Sequence, residues 1–438
     1  MALLKRHAAG HTGGRGASSY AVVGGGQADS GKTVTIDDLQ ARFAALCVTA
    51  GLDLREGQEL IVSAPIEAQP FVGQVARAAY RAGAPLVTCL YEDPSLIRAR
   101  FDHGADEALD RAPGWLSDGV VKAYEGGAAR LFVYGPYPDL LTGVAPERIG
   151  RMHAAMAAAS AAEGAFTADL RVNWCAVPFV TQSWARMVYP ALPIAKATAR
   201  LWDDVFDVVR VKSADPIAAW RDHLAVLETR CQGLQALDLS ALHFFGGGTD
   251  LRVGLAEGHQ WVGGRSRAAN GALPVCNFPT EEVFTCPHRD QVEGRLAASR
   301  PIALGGIVVD GLVVTFRNGV AEHVEAREGR EMLEGLLSGD EGARRLGEVG
   351  LVPCNSPVAR KEVLFYNTLL DENAANHIAF GQSYSACIEA GRDPNIAGAN
   401  TSALHIDCMI GHDAMDVDGV LKSGERRAIM RAGDFVLD

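Results

Sequence analysis

The sequence of 438 residues contains no CxxC pair: its nine cysteines, at positions 47, 89, 175, 231, 276, 286, 354, 387 and 408, are scattered and odd in number. Neither a disulfide framework nor a cysteine-type zinc site is suggested, and a reducing, cytoplasmic compartment fits best. No run of about 18 apolar residues occurs, so no membrane-spanning helix is expected. Positive charge is in deficit, with 41 Lys and Arg against 53 Asp and Glu and a net charge of −12, which argues against nucleic acid or an anionic membrane as partner. GxSxG and HExxH are both missing, which removes the serine-elbow hydrolases and the helix-borne zinc proteases. Residues 1 to 32 lack the apolar core of a secretory signal. What remains, at 48% hydrophobic and 21% charged residues, is an ordinary globular chain long enough for two or three domains.

One stretch near the start, GGGQADSGKT at residues 24 to 33, has the spelling of a phosphate-binding loop. Such a loop works only where a helix begins at its lysine, so that backbone N–H groups converge on the phosphates. Here Lys32 is followed by the β-branched run Thr33-Val34-Thr35-Ile36, and Thr35 with Asp38 reads as an N-cap and capping box. The helix would start three residues too late. Residues 1 to 34 are therefore expected to be a flexible extension.

From residue 35 to 232, helical periods alternate with short apolar runs: helix 36 to 49, strand 59 to 63, helix 68 to 82, strand 85 to 90, strand 130 to 134, helix 147 to 162, strand 174 to 180, then helices near 195 to 206 and 216 to 230. This rhythm predicts an α/β domain with a mostly parallel sheet. From 233 to 438 the pattern changes to short strands broken by glycine, with Asp310-Gly311 and Asn318-Gly319 as hairpin dipeptides and helices over 330 to 347 and 371 to 389. An α+β domain is expected there, and it carries the polar clusters.

Those clusters are Glu281-Glu282 in NFPTEEVF, Glu348 in RRLGEVGLVP, Glu372 and His377 in LLDENAANHIAF, and His405 and Asp407 in ALHIDCMIG. Carboxylates and imidazoles are the ligands of a divalent metal site. In LHIDC the alternation predicts a strand with His405 and Asp407 on one face. The segment from Asp371 reads as a helix, on which His377 and Tyr384, seven apart, would share a face, with Asn373 placed to orient the imidazole. Glu281 and Glu282, adjacent in an extended segment, would face opposite sides, so one could bind metal while the other pairs elsewhere. Glu348, ahead of an apolar strand, needs an Arg or a metal to compensate its burial. Asp413, Asp416 and Asp418 in HDAMDVDG read as an acidic turn.

In this order, NFPTEEVFT, ARRLGEVGLVP, LLDENAANHIAFG and SALHIDCMIG resemble the M29 metallopeptidases, the thermophilic aminopeptidase family, over about residues 35 to 438. The resemblance implies a dimeric aminopeptidase acting on short peptides through two divalent ions, zinc, cobalt or magnesium. It puts metal ligands at Glu282, Glu348, His377, His405 and Asp407. Glu282 competes with Glu281, and the family register of 66 residues before Glu348 favours Glu282. Glu372 is a further ligand or supporting group, Tyr384 the catalytic tyrosine, and Glu281 the proton shuttle. A rival reading is an M29-like mononuclear iron dioxygenase that cleaves a hydroxylated pyridine ring, using two histidines and one aspartate. Deleting residues 1 to 31 is expected to leave metal content and peptide cleavage unchanged, as read by metal analysis and an aminoacyl p-nitroanilide assay; lost activity would give the extension a role.

Overall fold

In the computed structural model, which describes residues 34–304 and 307–437, the first helix, α1 (Ile36–Leu46), opens on a capping box. The Thr35 hydroxyl accepts from the Asp38 N–H at 3.2 Å, and Asp38 accepts from the Thr35 N–H at 3.0 Å. The stretch GGGQADSGKT and the extension before it lie outside the described residues.

Strand and helix then alternate: β1 (Leu60–Pro65), α2 (Gln69–Arg81), β2 (Val87–Glu92), α3 (Pro94–His103), α4 (Gly114–Glu125), β3 (Ala129–Tyr134), α5 (Pro146–Ala168) and β4 (Trp174–Pro178). The four strands form one parallel sheet in the order β2-β1-β3-β4. β1 reads Leu-Ile-Val because it is central and covered on both faces, as parallel strands usually are. α3 and α4 did not stand out in the sequence, although Asp93-Pro94 supplies a cap and a first-turn proline for α3. Helices α6 (Gln182–Val188), α7 (Ile194–Val208) and α8 (Pro216–Ala236) follow.

Beyond α8 the strands are antiparallel. β5 (Leu239–Gly246), β6 (Thr249–Leu255), β8 (Pro287–Ala297), β11 (Val313–Arg317), β12 (Val320–Glu325), β16 (Asp416–Leu421), β17 (Arg426–Arg431) and β18 (Asp434–Phe435) make an eight-stranded sheet. β7 (Val283–Thr285), β13 (Leu346–Leu351), β14 (His377–Gly381) and β15 (His405–Met409) make a smaller one in the order β15-β14-β13-β7, and β9 (Ile302–Leu304) pairs with β10 (Ile307–Val309). Two main apolar cores result, one around the parallel sheet and one between the antiparallel sheets. The first also takes in Val275, Phe278, Val358, Phe365, Leu370 and Ala374, so later segments of the chain pack against the α/β part.

Four local expectations need revision. The helix over 330 to 347 stops early: α9 spans Arg330–Leu337, and the chain turns to enter β13. The helix over 371 to 389 is a short α10 (Thr368–Asp371) and one 3-10 turn ending at Ala374. Ala375 is extended, and β14 begins at His377. All five residues of β14 are buried, and Ile378 and Phe380, two apart, both enter the second core, so strand alternation overrides the helical reading of this segment. Asn318-Gly319 does turn β11 into β12, with φ of 47° and 78°. Asp310-Gly311 instead joins β10 to β11, which belong to different sheets. Lastly, Asp416 and Asp418 lie in β16 rather than in an acidic turn. Thr35→Ala should remove the cap and lower unfolding stability by about 1 kcal/mol, read as a lower urea midpoint at unchanged slope.

Candidate metal centre

β13, β14 and β15 bring four of the candidate ligands to one region through cross-strand pairing. Ala379 in β14 faces Glu348 on one side and Asp407 on the other, while Gly381 faces His405 and Gly350 faces His377. Directly opposed residues share a sheet face, so Ala379, Gly381 and Gly350 are small where the ligand side chains need room. At Gly350 the requirement is severe: a Cβ there would lie 2.3 Å from His377 Nε2. Glu282 arrives from the residue just before β7, which pairs with β13.

Glu348 sits between two groups. Its Oε1 is 3.5 Å from His377 Nε2, and its Oε2 is 3.4 Å from His405 Nε2. Glu282 Oε2 lies 3.1 Å from His377 Nε2, and Asp407 Oδ1 lies 3.4 Å from His405 Nε2. Thus Glu282, Glu348 and His377 form one triad of potential ligands and Glu348, His405 and Asp407 a second, each with its atoms within 4.8 Å. Both imidazoles are held by their other nitrogen, His377 Nδ1 by the Ala375 carbonyl at 3.3 Å and His405 Nδ1 by the Gln382 carbonyl at 2.9 Å. Since a carbonyl only accepts, each Nδ1 carries the proton, and Nε2 is presented to the carboxylates.

The electrostatics are those of a site built for cations. Burial favours neutral imidazoles, but Glu282 and Glu348 raise His377 well above the usual range, and Asp407 and Glu348 raise His405 to about 11. Burial would raise Glu348, yet the two imidazoles beside it bring it down to about 2. Burial raises Glu282 as well, and raises Glu372 strongly with Glu282, Asp407 and Glu348 adding to the effect. Glu282 Oε2 is buried and has no hydrogen-bond partner despite its short approach to His377. A buried cluster of carboxylate and imidazole atoms that leaves one carboxylate oxygen without a donor fits a divalent ion.

The remaining candidates are placed differently. Glu372 lines the same cavity, its Oε1 accepting from Asn277 and Asn373 at 3.4 Å, but it belongs to neither triad. Tyr384 reaches the centre from the loop after β14, not from a shared helix with His377, and its hydroxyl lies 3.4 Å from His405 Nε2. Burial and the surrounding carboxylates raise its pKa, so the phenol stays protonated. Asn373 does not orient His377: its Oδ1 accepts from the Glu281 N–H at 2.6 Å. Glu281 is turned away from the cluster and paired with Arg210, so the proton-shuttle role does not fit its placement. Arg210, Asn277 and Gly350 were not picked out from the sequence, because each acts through a contact distant in the chain.

The centre opens into a cavity of about 670 Å³. Leu170 and Trp174 from the parallel-sheet part and Val262 and Phe284 from the antiparallel part supply apolar wall. Among the described residues, the charged side chains lining it are Glu282, Glu348, Glu372, His405 and Asp407.

Residues 36–435 match the family model of the thermophilic metalloproteases (M29). The chain belongs to the M29 metalloprotease family. It is 48% identical over 400 residues to aminopeptidase T of Thermus thermophilus, covering 90% of this chain and 98% of that protein. Aminopeptidase 2 of Geobacillus stearothermophilus is 38% identical over 403 residues, covering 91% and 97%. The solved structure of wild-type AmpT from Thermus thermophilus aligns with a TM-score of 0.88 at 46% identity, over 92% of this chain and all of that one. None of these relatives supports the iron dioxygenase reading.

Two outcomes follow for this M29 centre. Gly350→Ala should displace His377 and lower bound metal while circular dichroism remains that of the parent. Because His405 holds its proton up to about pH 11 without metal, loading zinc near neutral pH should release protons. In weakly buffered solution the pH should fall on addition, and apparent affinity should rise with pH.

Proposed function

We infer that this metal-dependent aminopeptidase works through two divalent ions, zinc, cobalt or magnesium, shared by Glu348. The observation that carries the inference is the direction of that one carboxylate, with one oxygen toward His377 and the other toward His405. Glu282 and His377 would complete one side, His405 and Asp407 the other, and Glu372 is the remaining carboxylate near enough to extend the set. Such a pair, when bound, supplies a nucleophilic hydroxide near neutral pH and polarises the scissile carbonyl.

The chain's own groups do the rest. Tyr384 keeps its proton and donates a hydrogen bond from Oη to the oxyanion that develops on the carbonyl. The carboxylates of the centre attract the free α-amine of a short peptide, and this restricts cleavage to the first residue.

The wider setting is part of the same proposal: an α/β domain over 35–232, a metal-binding domain over 233–438, and a cytoplasmic homodimer. All nine cysteines are unpaired, which supports a reducing compartment, and no described helix is long and apolar enough to cross a membrane. Metal analysis with a panel of aminoacyl p-nitroanilides tests the function, with about two ions per chain and chelator-sensitive release expected; one iron, oxygen uptake and no amide cleavage would refute it. Tyr384→Phe should keep its metal and lose turnover by roughly 10² to 10³-fold. Unchanged turnover would remove Tyr384 from the mechanism.

A further inference from the structure

Glu281 and Glu282 are both buried, at 3% and 6% exposure, yet they serve opposite sides of one extended segment. Glu282 lines the cavity of the metal centre, whereas Glu281 lines a separate cavity of about 800 Å³ that holds none of the candidate ligands. There Glu281 meets the Arg210 guanidinium in a two-pronged pair, Nη1 to Oε1 at 2.5 Å and Nη2 to Oε2 at 2.8 Å. This is the strongest geometry available to a carboxylate and an arginine.

Arg210 is itself held. It follows the end of α7 with a φ of 58°, unusual for a residue with a side chain, and its guanidinium lies 4.9 Å from the Trp220 ring. Trp220 donates from Nε1 to the Val209 carbonyl at 2.8 Å and stacks on Phe278 at 3.9 Å. His223, one turn along α8, donates from Nε2 to the Thr280 carbonyl at 2.7 Å. From the other side, Asn373 accepts the Glu281 N–H, and Asn373 is the neighbour of Glu372. Every residue from Phe278 to Glu281 is thereby tied by a side chain of another element, Pro279 through its carbonyl, which accepts from Asn373 Nδ2 at 3.5 Å.

We propose that Arg210 and Glu281 form a positioning pair that aims Glu282 at the metal centre from behind. In an extended segment the two side chains project oppositely, so fixing the Glu281 carboxylate fixes the rotation of the chain about its own axis and hence the direction of Glu282. The pair also links the end of α7, in the α/β part, to the ligand shell. The proposal rests on Glu282 being a ligand. Supporting partners of this kind change metal affinity by about 10 to 100-fold when removed.

The test compares Glu281→Gln, Arg210→Lys and the charge-neutral double variant Arg210→Gln/Glu281→Gln with the parent and with Glu282→Gln. Zinc alone is titrated into metal-free protein by calorimetry, and melting is followed with and without zinc. One of two zinc equivalents is expected to bind roughly 10 to 100-fold more weakly in Glu281→Gln and in the double variant. Arg210→Lys should fall between them and the parent, and turnover in Glu281→Gln should recover at saturating zinc. Removing one partner of a buried pair can unfold a protein; the double variant removes both charges of the pair together, and Arg210→Lys keeps one on each side. Zinc affinity within twofold of the parent in all three would make the pair a structural link only and overturn the proposal. Turnover lost at full zinc occupancy in Glu281→Gln would overturn it in favour of proton transfer by Glu281. If Glu282→Gln binds zinc like the parent, it is the ligand assignment that fails.

Discussion

A single buried carboxylate, Glu348, constrains the functional half of this molecule. It lies in β13, an inner strand of a small four-stranded antiparallel sheet, and all six residues of that strand are buried, so an uncompensated charge there would be costly. Two imidazoles compensate it, one from the adjacent strand and one from the strand beyond. The second can reach across only because β14 offers Ala379 and Gly381 between them. Strand spacing, small residues and the positions of the candidate ligands are thus one requirement, and the same geometry that makes Glu348 tolerable turns its two oxygens toward different imidazoles.

The parallel-sheet part contributes more than bulk. Thr167, Leu170 and Trp174 close the cavity over the centre, and the region after α7 holds the segment that delivers Glu282. Lys361 ties into α7 from the other direction, with its Nζ 3.0 Å from Asp204. Two parts with different sheet architectures are joined at the place where the ligands must be aligned. That junction accounts for the burial of several charged groups, which are paired across it rather than left to solvent.

Much of this could be read from the residues. The alternation of helices and short apolar strands, the capping box at Thr35, the turn at Asn318-Gly319 and the strand carrying His405 and Asp407 all follow from local periodicity and turn chemistry. Opposite directions for Glu281 and Glu282 were expected from extended geometry alone, and the structure has them in different cavities. The segment from Glu372 to Cys387 was misread because its polar residues hide the alternation of Ile378 and Phe380, and five residues are too few to separate a buried strand from a helix.

Local sequence chemistry specifies which elements form and which side chains can bind a cation, because caps, turns and periodicity act over a few residues. It cannot specify that Glu348 stands between two histidines 29 and 57 residues further on, since that depends on strand order and register. Nor can it show that Glu281 belongs to Arg210, 71 residues earlier, and not to the metal centre beside it. Those assignments are made by packing, where a burial penalty on each carboxylate selects the partner that the fold brings within reach.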